Sequence, residues 1–239
     1  MKTKIYWAPV DDEQKDKDWS ILYPDPTVLD HDLKKKMAKN IDKKSNLFFC
    51  PAVKDLTSKI AVLKCPIASQ YKVKNNEFQP VSKNYVNLKF THKPNFENNF
   101  MFEMCLSYVF FAEEESVNMT FSSPYFSNSP HLQYGSIIPG TFNIAKWFRN
   151  VNMEFNLWDD ITEFKIKRNE PLAYVHFECK NEIELVRFDF NERLHRLRNT
   201  CATACDWERF VPLAERYQRF KEARFRSIVL KEIKKNIVD

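Results

Sequence analysis

The chain has almost no glycine. Gly135 and Gly140 are the only two in 239 residues, where an average protein carries roughly 7%. A phosphate-cradling loop needs several glycines in a fixed pattern, so neither the dinucleotide-binding fingerprint nor a P-loop can be written with these two. Cysteine is also uninformative as a ligand set. Cys50, Cys65, Cys105, Cys179, Cys201 and Cys205 include no CxxC pair, and zinc sites draw on close pairs with matching histidines. Cys50 and Cys65 read as buried strand-end residues, and Cys201 and Cys205 as small core residues on one helix face. No metal and no cofactor are expected. The histidines, His31, His92, His131, His176 and His195, are scattered singly, and HExxH, GxSxG and the kinase set are missing. The familiar metal, acyl-transfer and phosphoryl-transfer signatures are therefore lacking. Long apolar runs are absent as well, since nothing approaches ~18 uncharged apolar residues. The opening MKTKIYWAPVDDEQ has no apolar signal core. These absences point to a soluble protein with reduced thiols, no membrane contact and an intracellular or virion location.

What is present is aromatic. Phenylalanine occurs 21 times and aromatics make up 15% of the chain, which favours strands, where flat rings fit a pleated surface. The formal charge of +5 is uneven: from residue 191 onward 12 Lys and Arg face 7 Asp and Glu, and the remainder balances. That tail is a weak footprint for nucleic-acid binding, which is not expected.

From the start, KIYWAPV reads as a strand closed by Pro9 and WSILYPDP as a second short strand. Asp30 or Asp32 is placed to cap a short helix through LKKKMAKNID. Its lysine run is a solvated face or a phosphate-binding patch. NLFFCPAV and IAVLKCPIAS look like a loose pair of strands. QYKVKNNEFQPV and NYVNLKFTHKP follow as strands around a polar turn, with Tyr85, Asn87 and Lys89 alternating with apolar neighbours. FMFEMCLSYVFFAEEES favours one strand buried on both faces, ended by a solvated turn at Glu113, Glu114 and Glu115. Asp159 and Asp160 lie between two strands and read as turn formers.

The centre of the chain, residues 122–177, holds both glycines. Strands are expected at 142–148, 151–158, 164–167 and 172–177, within one β-rich body. Pro139 and Gly140 suit the middle of a type II turn, which requires positive φ at its second central residue, so Gly135 or Gly140 should show it. The irregular loop 122–133 and its surroundings supply Tyr125, His131, Tyr134, Arg149 and Trp158 as pocket candidates: aromatic faces with a few polar tips and one guanidinium suited to an anion. The loop equally reads as a plug over the end of a barrel, and Arg149 as a surface partner of Glu154 or Asp159. Beyond a last strand in NEIELVRFDFN, residues 191–239 read as a helical extension. NERLHRLRN forms one helix, and a long basic amphipathic helix from Pro212 follows with Leu213, Tyr217, Phe220, Ile228 and Ile233 on one stripe. That stripe would cover the body of residues 1–190 or meet a protein partner.

The run from Tyr134 to Phe177 resembles the second half of a dUTPase-type β-clip domain, with a glycine turn, a short strand and then FKIKRNEPLAYVHF, in which Asn169 stands where glycine is usual. The resemblance implies a β-clip or jelly-roll-like barrel or sandwich. The family's catalytic residues do not carry over: Ile138, Pro139 and Gly140 occupy the place of the water-activating acid, so dUTP hydrolysis is not expected. The whole chain resembles a group of proteins encoded by marine bacteriophages, through Trp7, Cys50-Pro51, SSPYFSNSPHLQYGSIIPG, KWFRNVNMEFNLW and DWERFVPLAERYQRF. That likeness implies a phage origin and no particular activity. The expectation is a mainly β protein, with a short N-terminal helix and a helical tail, that acts by binding as a virion-associated or host-interaction protein. The alternative is a protein that binds or processes a nucleotide or related metabolite. Composition leaves the oligomeric state open.

Overall fold

Strand β1 (Thr3–Pro9) is hydrogen-bonded on both edges, and its side chains are buried on both faces. A computed structural model describes residues 2–10, 22–39, 50–74, 77–81, 89–92, 100–202 and 213–238. Within them the chain is mainly β. β1 lies between β15 (Ile183–Arg187), which runs parallel to it, and antiparallel β8 (Tyr108–Ala112). A strand buried on both faces is apolar almost throughout, and KIYWAP and YVFFA are such runs. A five-stranded sheet orders β11 (Thr141–Asn143), β9 (Asn118–Ser122), β14 (Pro171–Glu178), β3 (Ile60–Lys64) and β2 (Thr27–Val28). A four-stranded sheet orders β10 (Gly135–Ile138), β12 (Met153–Leu157), β7 (Phe100–Cys105) and β6 (Lys89–His92). The fourth sheet places β4 (Ser69–Lys74) between β13 (Glu163–Ile166) and β5 (Glu77–Pro80).

The inward faces of all four sheets meet in one core. At its centre the Phe102 ring lies 4.6 Å from Phe78, 5.4 Å from Phe155 and 5.6 Å from Phe164, within the range of favourable edge and offset contacts. β1 contributes Ile5 and Trp7 to it, and β8 contributes Tyr108, Phe110 and Ala112. Their alternate residues, Tyr6, Ala8, Val109 and Phe111, face a second core closed by helices. Those helices are α3 (Glu192–Ala202), α4 (Leu213–Glu222) and α5 (Phe225–Lys235), and Leu194, Phe220, Val229 and Ile233 close over the sheet. A third, smaller cluster sets Leu29 and Leu33 of α1 (Leu29–Lys39) on Ile60 and Val62 of β3.

The helices are fixed by polar contacts as well. Asn191 accepts a hydrogen bond from the Leu194 N–H at 2.9 Å, capping α3, and donates to the Glu232 carboxylate of α5 at 2.9 Å. That hydrogen bond, with Lys235 and Arg193 near it, holds the Glu232 carboxyl below the usual range. Glu113 and Glu115 meet Lys234 at 2.6 Å and Arg226 at 3.4 Å, so the exposed acidic triplet that reads as a solvated turn also anchors α5.

Several sequence expectations are corrected. Residues 22–26 form no strand, and the proline after Cys50 starts a helix, α2 (Pro51–Thr57), because proline at the first helical position loses no hydrogen bond. Cys50 is exposed while Cys65 is buried. The run from Phe100 to Ala112 is two strands in different sheets, parted at Leu106 and Ser107. The strand foreseen at 142–148 shortens to β11. The irregular loop contains a 3₁₀ turn, Pro130–Gln133. The long C-terminal helix breaks at Arg224, whose φ of 54° is left-handed. The alternation at Tyr85 and Asn87, the start of NLFFCPAV, and Cys205 lie outside the described residues.

The glycines are corrected too. Neither has a positive φ; among the described residues the left-handed ones are Arg224 and Asn169, the latter at φ 65°. Gly135 is required for a different reason, since a Cβ there would stand 2.1 Å from the Asn156 carbonyl oxygen across the β10–β12 pair. At Gly140 the nearest atoms to an added Cβ belong to the Phe142 ring at 3.5 Å, an ordinary contact. The β-clip comparison thereby loses the glycine turn on which it rested. The strands at 153–157, 163–166 and 171–178 do share one core, through Phe155, Phe164 and Phe177.

Candidate functional site

The five pocket candidates from the centre of the chain have different surroundings. Tyr125 is half exposed, its ring 5.1 Å from Tyr174 and 6.1 Å from His176. His131 is fully buried, 6.2 Å from the Phe155 ring, and burial pushes its imidazole down to about 4. The Leu172 backbone opposes that shift but falls short of hydrogen-bond geometry, and both ring nitrogens lack a partner among the described residues. Tyr134 packs on Phe164 at 5.5 Å, and its carbonyl accepts the Trp158 N–H at 2.9 Å. Trp158 itself is half exposed. Arg149 lines a cavity of about 20 Å³ with Trp147, Asn150 and Tyr217, room for one water. Backbone hydrogen bonds link three of the five, His131 to Tyr134 at 3.1 Å and Tyr134 to Trp158 at 2.9 Å. Asp159 and Asp160 are exposed in a turn.

A larger concavity lies elsewhere. α1 rests on β3 through its apolar stripe, and β2 leads into it. Beside them the start of β15 and the residue before β1 complete a groove of about 440 Å³, within the range of small-ligand sites. Its ionisable lining is Lys2, His31, Asp32, Lys35, Lys64 and Glu184, three ammonium groups and an imidazole against two carboxylates. Helical spacing decides which lysines are free. Lys34 pairs with Asp30 at 2.6 Å and Lys36 with Asp32 at 3.0 Å, each one turn away, and Lys64 approaches Asp32 at 3.9 Å. Asp32 is thus already compensated. Lys35, on the next position round the helix, and Lys2 have no carboxylate partner among the described residues and are exposed.

Sequence reasoning missed this groove as a site. Its one local signal was the lysine run 34–36, read as a solvated face or a phosphate patch; two of those lysines serve the helix and one serves the groove. Lys2, Lys64 and Glu184 carry no motif and are brought there by strand pairing.

Among the described residues no three His, Cys, Asp or Glu side chains gather as a metal-binding group, and no helix is long and apolar enough to cross a membrane. The chain matches no protein-family model and no curated protein. Fold and geometry define a mainly β protein with a helix-covered sheet and a cationic surface groove.

Proposed function

We propose that the protein acts by binding, and that the groove beside α1 receives a small molecule bearing phosphate or carboxylate. The observation that carries this reading is a pair of ammonium groups, Lys2 and Lys35, that have no carboxylate partner among the described residues and line a ligand-sized groove. Lys64 and His31 add donors on its walls. The apolar walls, Pro26, Val28, Ile183 and Leu185, would take the uncharged part of the same molecule. This keeps the nucleotide-or-metabolite class of ligand and moves its place from residues 125–158 to the groove. A virion-associated or host-interaction role, the first expectation from the sequence, is compatible with it. The apolar stripe of α5 supports a partner contact less well, because Val229 and Ile233 are spent on the protein's own sheet.

Thermal unfolding with inorganic phosphate, citrate and a nucleoside diphosphate tests the proposal. A ligand at a hundred times its Kd adds about 2.7 kcal/mol of stability. The expected result is a shift for at least one of these anions that is lost in Lys35→Glu and reduced in Lys2→Ala. No shift with any of them, or an undiminished shift in Lys35→Glu, overturns the proposal.

A further inference from the structure

Outside the groove, on the outer face of the five-stranded sheet, β9 and β14 bring a serine and a histidine into contact. Phe121 points into the main core, so Ser122 faces outward. Val175 and Phe177 point inward, so His176 also faces outward. The register sets Ser122 opposite Tyr174 and Thr120 opposite His176, a diagonal pair within reach of long side chains. Ser122 Oγ and His176 Nε2 are 2.7 Å apart, the hydrogen-bond distance a nucleophile and its base require.

Both residues are half-buried, and partial burial lowers the imidazole pKa. At neutral pH the ring is therefore uncharged. With its proton on Nδ1, Nε2 presents a lone pair and the serine hydroxyl donates to it. The Tyr125 ring, half exposed and 6.1 Å from His176, stands beside the pair as an apolar wall. Both members sit on paired strands, which hold such geometry more firmly than loops do.

We propose that Ser122 is a nucleophile activated by His176, and that the pair transfers acyl groups from esters whose acyl chain lies against Tyr125. In the first step Ser122 Oγ bonds to the ester carbonyl carbon while its proton passes to His176 Nε2. The C–O bond to the leaving alcohol then breaks, and the alcohol leaves with that proton. In the second step water attacks the acyl-serine carbonyl as His176 Nε2 takes its proton, the bond from Ser122 Oγ to the acyl carbon breaks, and His176 returns that proton to Ser122 Oγ as the carboxylic acid leaves. His176 Nδ1 has no carboxylate partner among the described residues, so the pair works as a dyad and suits esters with good leaving groups. No local sequence signature exists for it, because the two residues are 54 apart in the chain.

The test is covalent labelling of the full chain with a fluorophosphonate probe, with the adduct located by peptide mass spectrometry. The expected result is an adduct on Ser122 that is absent in Ser122→Ala, retained in Ser123→Ala and formed about a hundredfold more slowly in His176→Gln, the scale of general-base assistance. Hydrolysis of p-nitrophenyl acetate should fall in Ser122→Ala and His176→Gln and persist in Ser123→Ala. Thermal unfolding of each variant, read alongside, separates loss of chemistry from loss of fold. No adduct on the wild-type chain, an adduct on another residue, or equal labelling of Ser122 in folded His176→Gln overturns the proposal.

Discussion

Ile5 and Trp7 look into one core and Tyr6 and Ala8 into another, and the two cores differ in what closes them. The first is closed by strands of all four sheets, with aromatic rings in mutual contact around Phe102. The second is closed by three helices whose hold on the sheet comes from a few apolar side chains and a rim of charge. The rim pair between Glu113 and Lys234 is about half exposed on both sides, and exposed pairs contribute only about 0–1 kcal/mol. The same sheet thus has one side that is integral to the fold and one side covered by a separable layer.

The largest expected effect breaks the first side. Phe102→Ala should cost about 3–5 kcal/mol, the usual range for an aromatic removed from a packed interior, and the loss should appear as one transition. Ile233→Ala should cost about 2–3 kcal/mol and speed amide exchange in α5 before that in β3. Equal acceleration of exchange in both elements would mean the helices are not a separable layer.

A second, smaller effect is one of pH. His131, against Phe155 in the first core, titrates at about 4 when folded and at about 6.5 when unfolded. Its folded pKa is depressed, so the folded state binds fewer protons. The stability associated with the neutral ring is complete above pH ~6.5 and is lost as the pH falls towards ~4, by on the order of 3 kcal/mol. His176 and His195 are lowered by burial in the same direction. Glu232, on the helical side, loses its contribution only below the ordinary carboxylate range. Urea unfolding at pH 7.5 and 4.5 should show a pH-dependence that shrinks in His131→Gln. An unchanged pH-dependence in that variant would assign the acid sensitivity elsewhere.

The smallest effect sharpens the comparison at single atoms. Gly135→Ala, with its Cβ driven against the Asn156 carbonyl, should cost about 1–3 kcal/mol, as overpacking does. Gly140→Ala has room and no left-handed φ, so it should gain roughly 0.4–1 kcal/mol by restricting the unfolded chain. A reversal of these signs in thermal unfolding would contradict the close approach of β10 to β12.

Much of the β structure was legible because side chains alternate along it. Strands β12, β13 and β14 fall close to where periodicity placed them, and the carboxylates and lysines of α1 gave its position. Aromatic runs were less informative. Tyr108 to Phe111 identified a strand buried on both faces, but nothing in the run showed that Phe100 to Cys105 belongs to another sheet. Asn169 was legible as a stand-in for glycine and is left-handed, as a short polar side chain allows; the turn it makes joins β13 to β14. Arg224 gave no such signal, because no glycine or proline marks the helix break there. The groove was the least legible feature. Its residues come from positions 2, 31, 35, 64 and 184, and only tertiary pairing brings them together.

The parallel pairing that sets Thr3 beside Ile183 also orders events in time. As the chain leaves the ribosome, β1 emerges before either of its partners, and roughly a hundred residues pass before β8 can pair with one of its edges. The other edge waits for β15. Contacts so distant in sequence are slow to form, since the loop they close must be ordered before the contact repays it. Until then an apolar strand has an unpaired edge, the circumstance in which nascent chains aggregate. Pro9, which cannot donate to a ladder, closes that strand, where it limits how far a wrong pairing could extend.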